Sequence, residues 1–165
     1  MTVLRTRRLV LRPPVADDLD GLHNVYSDLR VMRYWSTSAH RDRAETRALL
    51  DAMITHASTP TRYFVIDHDG QAVGCAGVHE GDEIGFLLRA DLWRKGFMRE
   101  ALTALIPYFL DTLGYDRLTA DADPRNDGSI ALLKALGFVE TGRAARTFFI
   151  NGEWCDSVYF ERRRT

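Results

Sequence analysis

Residues 3–11 alternate between apolar and polar side chains, the period of a half-buried strand. The pattern then changes. After Asp17-Asp18, residues Leu19, Leu22 and Tyr26 fall on one helical face, so a helix starts at Asp17 or Asp18 and runs to about Tyr26. A short helical piece holds Val31 to Trp35. A longer amphipathic helix spans Arg41 to His56, with Leu49, Leu50 and Met53 on its apolar side. Tyr63–Ile66 and Ala72–Val78 read as strands around the hairpin turn Asp69-Gly70, and Glu83–Leu88 continues that antiparallel set. A helix follows from about Arg94 towards Leu113, and Pro107 should kink it or end it early. Arg117–Ala122 is a strand, and Asn126 or Asp127 caps a last helix. Gly114 and Gly137 each follow a helical Leu and suit left-handed helix ends. Phe148–Ile150, Asn151-Gly152 and Cys155–Phe160 form a final hairpin. The order of elements predicts a mixed α/β fold: three antiparallel strands followed by crossovers.

Composition narrows the class. The chain has 165 residues, 45% of them apolar and 27% charged, which fits one globular domain over residues 1–165. A net charge of −1 speaks against a nucleic-acid or anionic-membrane binder. Arg163 and Arg164 read as a solvated basic end. Cys75 and Cys155 lack zinc or redox spacing, lie in strand-like apolar runs and are expected to be buried free thiols. No signal-like or membrane-length apolar run is present, so a cytoplasmic protein is expected. The histidines show no metal spacing, and no metal is expected.

The chemistry begins at Trp93-Arg94-Lys95-Gly96-Phe97-Met98, a basic loop with a glycine between a strand and a helix. A helix N-terminus exposes unpaired N–H groups and partial positive charge, so it receives anions, phosphates above all. The Walker loop and the dinucleotide Gly-x-Gly-x-x-Gly fingerprint are both absent. A second segment, Asp123-Pro124-Arg125-Asn126-Asp127-Gly128-Ser129 through Leu136-Gly137-Phe138, joins the first in chain order.

Together they resemble the GNAT superfamily of N-acetyltransferases, in the branch of the ribosomal-protein acetyltransferases RimJ and RimL. The family's pyrophosphate loop reads Arg/Gln-x-x-Gly-x-Gly/Ala; here Trp93 stands at its first position and Met98 at its last. Its later signature is an Asn, a small residue three on, a short helix and Leu-Gly-Phe, matched by Asn126, Ser129 and Leu136-Gly137-Phe138. The opening Leu9-Val10-Leu11-Arg12-Pro13, then Ile84-Gly85-Phe86, and at the end Gly152, Asp156 and Tyr159 extend the likeness over nearly the whole chain.

The resemblance implies a GNAT acyl-CoA N-acyltransferase fold: a mixed, mostly antiparallel sheet with splayed central strands, flanked by helices. It implies acetyl-CoA as co-substrate and a small-molecule or peptide amine as acceptor, in a monomer or homodimer. Backbone donors around Phe86, Leu87 and Leu88 would hold the thioester oxygen, and Trp93, Arg94, Lys95, Gly96, Phe97 and Met98 the pyrophosphate. Asn126 would contact the pantetheine arm or serve as a helix cap. Ser129 would donate to the leaving thiolate, because Leu133 stands where many relatives have a Tyr. Lys134 is a candidate for the CoA phosphates, or a solvent-facing lysine.

The reaction also needs a neutral amine. A lysine-like amine has a reference pKa near ~10.4 and an α-amine near ~8, so a base or water must take a proton. Glu83 is the candidate base, with Glu80, Asp82 and His79 nearby in sequence. Tyr34, Trp35, Trp154 and Tyr159 could wall the acceptor cleft or fill core. The alternative function is a catalytically silent CoA-binding or interaction module of the same fold.

Overall fold

A computed structural model describes residues 1–165. The first strand of the sequence reading is in fact a small hairpin, β1 (Leu4–Arg5) and β2 (Val10–Arg12), pairing Leu4 with Leu11. A distant residue folds it. Glu100 accepts hydrogen bonds from Thr6 Oγ1 at 2.6 Å, Arg8 N at 2.7 Å and Arg8 Nε at 2.7 Å. Three donors converging on one carboxylate hold the turn closed, which no local pattern announces.

The helices α1 (Leu19–Tyr26), α2 (Leu29–Met32) and α3 (Arg43–Thr55) follow. Helix α2 begins before the expected Val31, because Asp28 Oδ1 accepts from Arg30 N at 2.9 Å and caps it there. Trp35 therefore lies in the loop beyond the helix. Asp42 caps α3 in the same way, accepting from Glu45 N at 3.0 Å.

Strands β3 (Tyr63–His68) and β4 (Gln71–Glu80) join through Asp69-Gly70, both in the left-handed region at φ 52° and 80°. Next come β5 (Glu83–Leu88) and α4 (Phe97–Pro107). Pro107 marks the change the sequence predicts. After it the helix widens by one residue per turn, and Leu113 N bonds to Tyr108 O five residues back at 2.9 Å. Strand β6 (Arg117–Ala122) and α5 (Asp127–Ala135) lead into β7 (Val139–Ile150) and β8 (Glu153–Arg163). That last hairpin is longer than predicted. Most of β7 is solvent-exposed and its register shifts twice, at Glu140/Gly142 and Ala144/Phe148, so a two-residue period is blurred.

The eight strands form one sheet, β1-β2-β3-β4-β5-β6-β8-β7. Every pair is antiparallel except β5 with β6. Helix α4, the wider turn after it and α5 bury one face through Leu102, Leu105, Phe109 and Leu133 against Phe64, Leu118 and Phe160. Helices α1 to α3 bury the other through Leu22, Val25 and Leu50 against Val65, Cys75 and Leu87. Cys75 and Cys155 are free thiols, but the expected burial holds only for Cys75; Cys155 is partly exposed, because it lies near the solvent-exposed start of β8. Cys75 is fully buried beneath the Tyr26 and Tyr63 hydroxyls, and burial pushes its thiol pKa up. No helix is long and apolar enough to cross a membrane.

Candidate active site

Strands β5 and β6 share a single rung, Glu83 against Thr119, where Thr119 N donates to Asp82 O at 2.9 Å. Beyond that rung they separate, and the β5 edge loses its partner. Which groups face the gap follows from the β4 side. Arg89 N donates to Val73 O at 2.8 Å, so in an alternating antiparallel ladder the N–H groups of Leu87 and Gly85 also turn to β4. Those of Phe86 and Leu88 turn into the split. Two fixed donors thus line an opening between strands, the arrangement that an oxyanion requires. Of the three residues expected there, Phe86 and Leu88 turn their N–H groups into the gap and Leu87 turns its N–H away. Trp93 closes one end: its indole Nε1 donates to Leu88 O at 2.9 Å.

The basic loop sits at the mouth of this split. Helix α4 starts three residues later than Arg94, after Gly96 at φ 79° and with Arg94 itself at φ 58°. The first intrahelical bond is Glu100 N to Gly96 O. None of the backbone N–H groups from Arg94 to Arg99 donates to a protein acceptor. Six successive free donors at a helix N-terminus make a nest for a phosphate or pyrophosphate. Met98, at the position where the family has a small residue, turns its side chain into the core at 8% exposure and leaves the loop face clear. Arg8 braces the loop from the N-terminal hairpin: its Nη1 donates to Lys95 O at 3.0 Å and its Cζ lies 3.9 Å from the Phe97 ring centroid.

Asn126 and Ser129 meet at the head of α5. Asn126 Oδ1 accepts from Ser129 N at 3.2 Å, and Asn126 Nδ2 donates to Ser129 Oγ at 3.0 Å. Asn126 is therefore a helix cap, and it also orients the serine. With Oγ acting as acceptor, the hydroxyl hydrogen is directed elsewhere and can be donated. Leu133 is core at 1% exposure and supplies no polar group. Lys134 is exposed and forms no ion pair, on the solvent side of α5.

The face of the split opposite α4 carries the acceptor-side candidates. Glu83 and Gly85 lie on it with Leu87, because the intervening Ile84 and Leu88 belong to the α4 core. Gly85 leaves room for rings. A Cβ there would lie 2.9 Å from the His79 ring and 3.1 Å from the Trp35 ring. Trp35, His79 and Glu83 thus gather at one place. Tyr34 is differently engaged: the guanidinium carbons of Arg33 and Arg125 lie 5.2 and 5.4 Å from its ring centroid. Trp154 lies out on the β7–β8 hairpin, half-exposed, beside Phe149 at 5.3 Å and Arg146 at 4.9 Å. The hairpin tip reaches back to the α2–α3 loop through Ser38 Oγ, which donates to Asn151 Oδ1 at 2.7 Å. Glu83 is mostly exposed, yet its carboxyl is held above the usual range by partial burial and by Asp121, Asp82 and Glu80. No group of three or more His, Cys, Asp or Glu is placed to hold a metal ion.

Three residues of the site carry no local signal in the sequence. Arg8 and Glu100 brace the loop from 92 residues apart, and only the charge complementarity of the pair could have hinted at them. Asp121, on β6 beside Glu83, is an ordinary strand-edge acid until the sheet is assembled.

A family model for an acetyltransferase (GNAT) domain matches residues 8–139. The chain is 30% identical over 151 residues to an uncharacterized N-acetyltransferase p20 of Bacillus licheniformis, covering 86% of this chain and 85% of that one. It is 28% identical over 154 residues to spermidine N(1)-acetyltransferase of Escherichia coli, covering 90% and 82%. The solved structure of RimL, a ribosomal L7/L12 α-N-protein acetyltransferase in complex with coenzyme A, superposes with a TM-score of 0.86 at 17% identity, covering 98% of both chains. Its likeness is one of fold. With the splayed strands and the loop nest in place, the family match assigns the chain to the GNAT acetyltransferases, enzymes dependent on acyl-CoA.

Proposed function

We propose that the protein transfers the acetyl group of acetyl-CoA to a primary amine, by direct attack of the amine within a ternary complex. The observation that carries this reading is the continuity of two donor sets. The free N–H groups from Arg94 to Arg99 lead directly to the inward-facing N–H groups of Phe86 and Leu88. The first set suits a pyrophosphate and the second a thioester oxygen becoming an oxyanion. Arg94 and Lys95 add positive charge at the first, and Lys134 lies on the neighbouring helix. The Asn126-held hydroxyl of Ser129 hydrogen-bonds the departing thiolate. The acceptor amine enters across Trp35 and Gly85, with Glu83 drawing its positive charge. Trp154 and Tyr34 border that entrance from the hairpin and the α2–α3 loop.

The relatives and the local charge support a cationic amine as the acceptor. One named relative acts on spermidine, and the fold is shared with a protein N-terminal acetyltransferase. The unpaired carboxylate of Glu83 favours a cationic small amine over a neutral one. Calorimetric titration with acetyl-CoA, beside an analogue without the pyrophosphate, tests the first half. Saturable binding that collapses for the analogue is expected. Thiol release in the presence of spermidine or a serine-starting peptide tests the second. Tight binding with no release on any amine would replace this reading with a silent CoA-binding module.

A further inference from the structure

The single β5–β6 rung leaves Asp121 in a singular position. It lies two residues beyond Thr119 on β6, as Gly85 lies two beyond Glu83 on β5. Both strands run the same way, so Asp121 and Gly85 are level with each other and share one face. Leu118, Ala120 and Ala122 on β6 belong to the opposite, α4-covered face. The N–H groups of Phe86 and Leu88 enter the split immediately beyond Gly85. Asp121 therefore lies at the level where those donors begin, whereas Glu83 sits back at the last paired rung.

The surroundings leave this carboxylate without a cation. On the turn before β5, Asp82 is tied to Arg117 at 2.8 Å. Just after β6, Asp123 is tied to Arg125 at 2.8 Å, and Arg125 also reaches Glu153 at 3.3 Å. Asp121 is half-buried and forms no ion pair. The groups facing it are Glu83 from β5, Asp123 just after β6, and Tyr159 and Ser157 from β8. Burial and the Asp123 charge push its pKa up, and Ser157 opposes them. A carboxylate whose basicity is raised accepts a proton more readily than an ordinary one.

We infer that Asp121 is the proton acceptor for the incoming amine, a role that rests on the acetyltransferase reading above. The ammonium gives one proton to the Asp121 carboxylate, and the freed nitrogen attacks the thioester carbon. The C–N bond forms and the C–S bond breaks. The second proton on nitrogen goes to the CoA thiolate, and Asp121 returns its own to solvent.

The test compares D121N with the unaltered protein in three measurements. Calorimetry with acetyl-CoA comes first: equal affinity is expected, and no binding by either protein would overturn the acetyltransferase reading itself. Second is kcat/KM from pH 6 to 10 with spermidine and with a serine-starting peptide. D121N is expected to lose roughly 100-fold at pH 7 and to recover towards pH 10, where the amine is neutral without a base. Third is hydroxylamine, a nucleophile already uncharged at pH 7, with which D121N should keep its rate. Loss of the same factor at every pH and with every nucleophile would overturn the inference, as would full activity of D121N at pH 7. E83Q serves as the neighbouring control and is expected to lose less at pH 7. Acetyl-CoA binding by the unaltered protein with no transfer to any of these amines would also overturn it, since no proton would then need removing.

Discussion

Replacing Glu100 by Ala should loosen the phosphate-binding loop from behind. Its carboxylate gathers Thr6 Oγ1, Arg8 N and Arg8 Nε at 2.6 to 2.7 Å. A hydrogen bond to a charged group contributes about 1.5–3 kcal/mol, but the three are not additive. The Arg8 side chain is 34% exposed and the Glu100 side chain 17%, so water recovers part of the ion pair. The main-chain donor of Arg8 is the least replaceable partner. A net loss of about 2 kcal/mol is expected, which corresponds to roughly 4–8 °C in Tm at this chain length. Because Arg8 also holds Lys95 O and covers Phe97, the KM for acetyl-CoA should rise severalfold while kcat changes less. The pH dependence is fixed in sign. Folding places Glu100 below its ordinary pKa of 4.5, with the Thr6 and Arg8 hydrogen bonds outweighing burial. Its stabilisation is therefore full above the unfolded pKa and lost as pH falls through the folded one. Urea unfolding of E100A and the unaltered protein at pH 7 and pH 3.5 measures this. Equal stability at pH 7, or a gap that widens at pH 3.5, would show that Glu100 does not brace the hairpin as an anion.

Three further substitutions probe the site. W93F removes the donor to Leu88 O; a two- to fivefold rise in KM for acetyl-CoA is expected, with stability within about 1 kcal/mol, because Trp93 is 43% exposed and water can replace it. S129A should lower kcat about tenfold, the worth of one lost hydrogen bond of roughly 1.4 kcal/mol, and leave acetyl-CoA affinity unchanged, since Asn126 Oδ1 still accepts from the backbone N–H at position 129; unchanged kcat would remove Ser129 from the reaction. G85V would place carbon within about 3 Å of the His79 and Trp35 rings, and should raise the acceptor KM at least tenfold while sparing acetyl-CoA binding in a direct titration.

The sequence alone determined whatever depends on near neighbours. The Asp69-Gly70 turn, the Asn126 cap, the glycine ends at Gly114 and Gly137 and the break at Pro107 all stand where local sterics and hydrogen bonding put them. The loop from Trp93 to Met98 was legible for the same reason, since a helix N-terminus after a glycine exposes its own amides whatever surrounds it. Boundaries shifted where a side chain competed locally, as Asp28 does for α2. The tertiary structure decided the rest. The opening strand became a hairpin because Glu100 collects its donors from the other end of the fold. The gap between β5 and β6 exists because only one rung joins them, and strand pairing carries no signature in either strand. Asp121 and Glu83 come together from 38 residues apart along the chain, and Asp121 stays half-buried without an ion pair while Asp82 and Asp123 are each tied to an arginine. Such a property belongs to the space around a residue, and only folding creates that space.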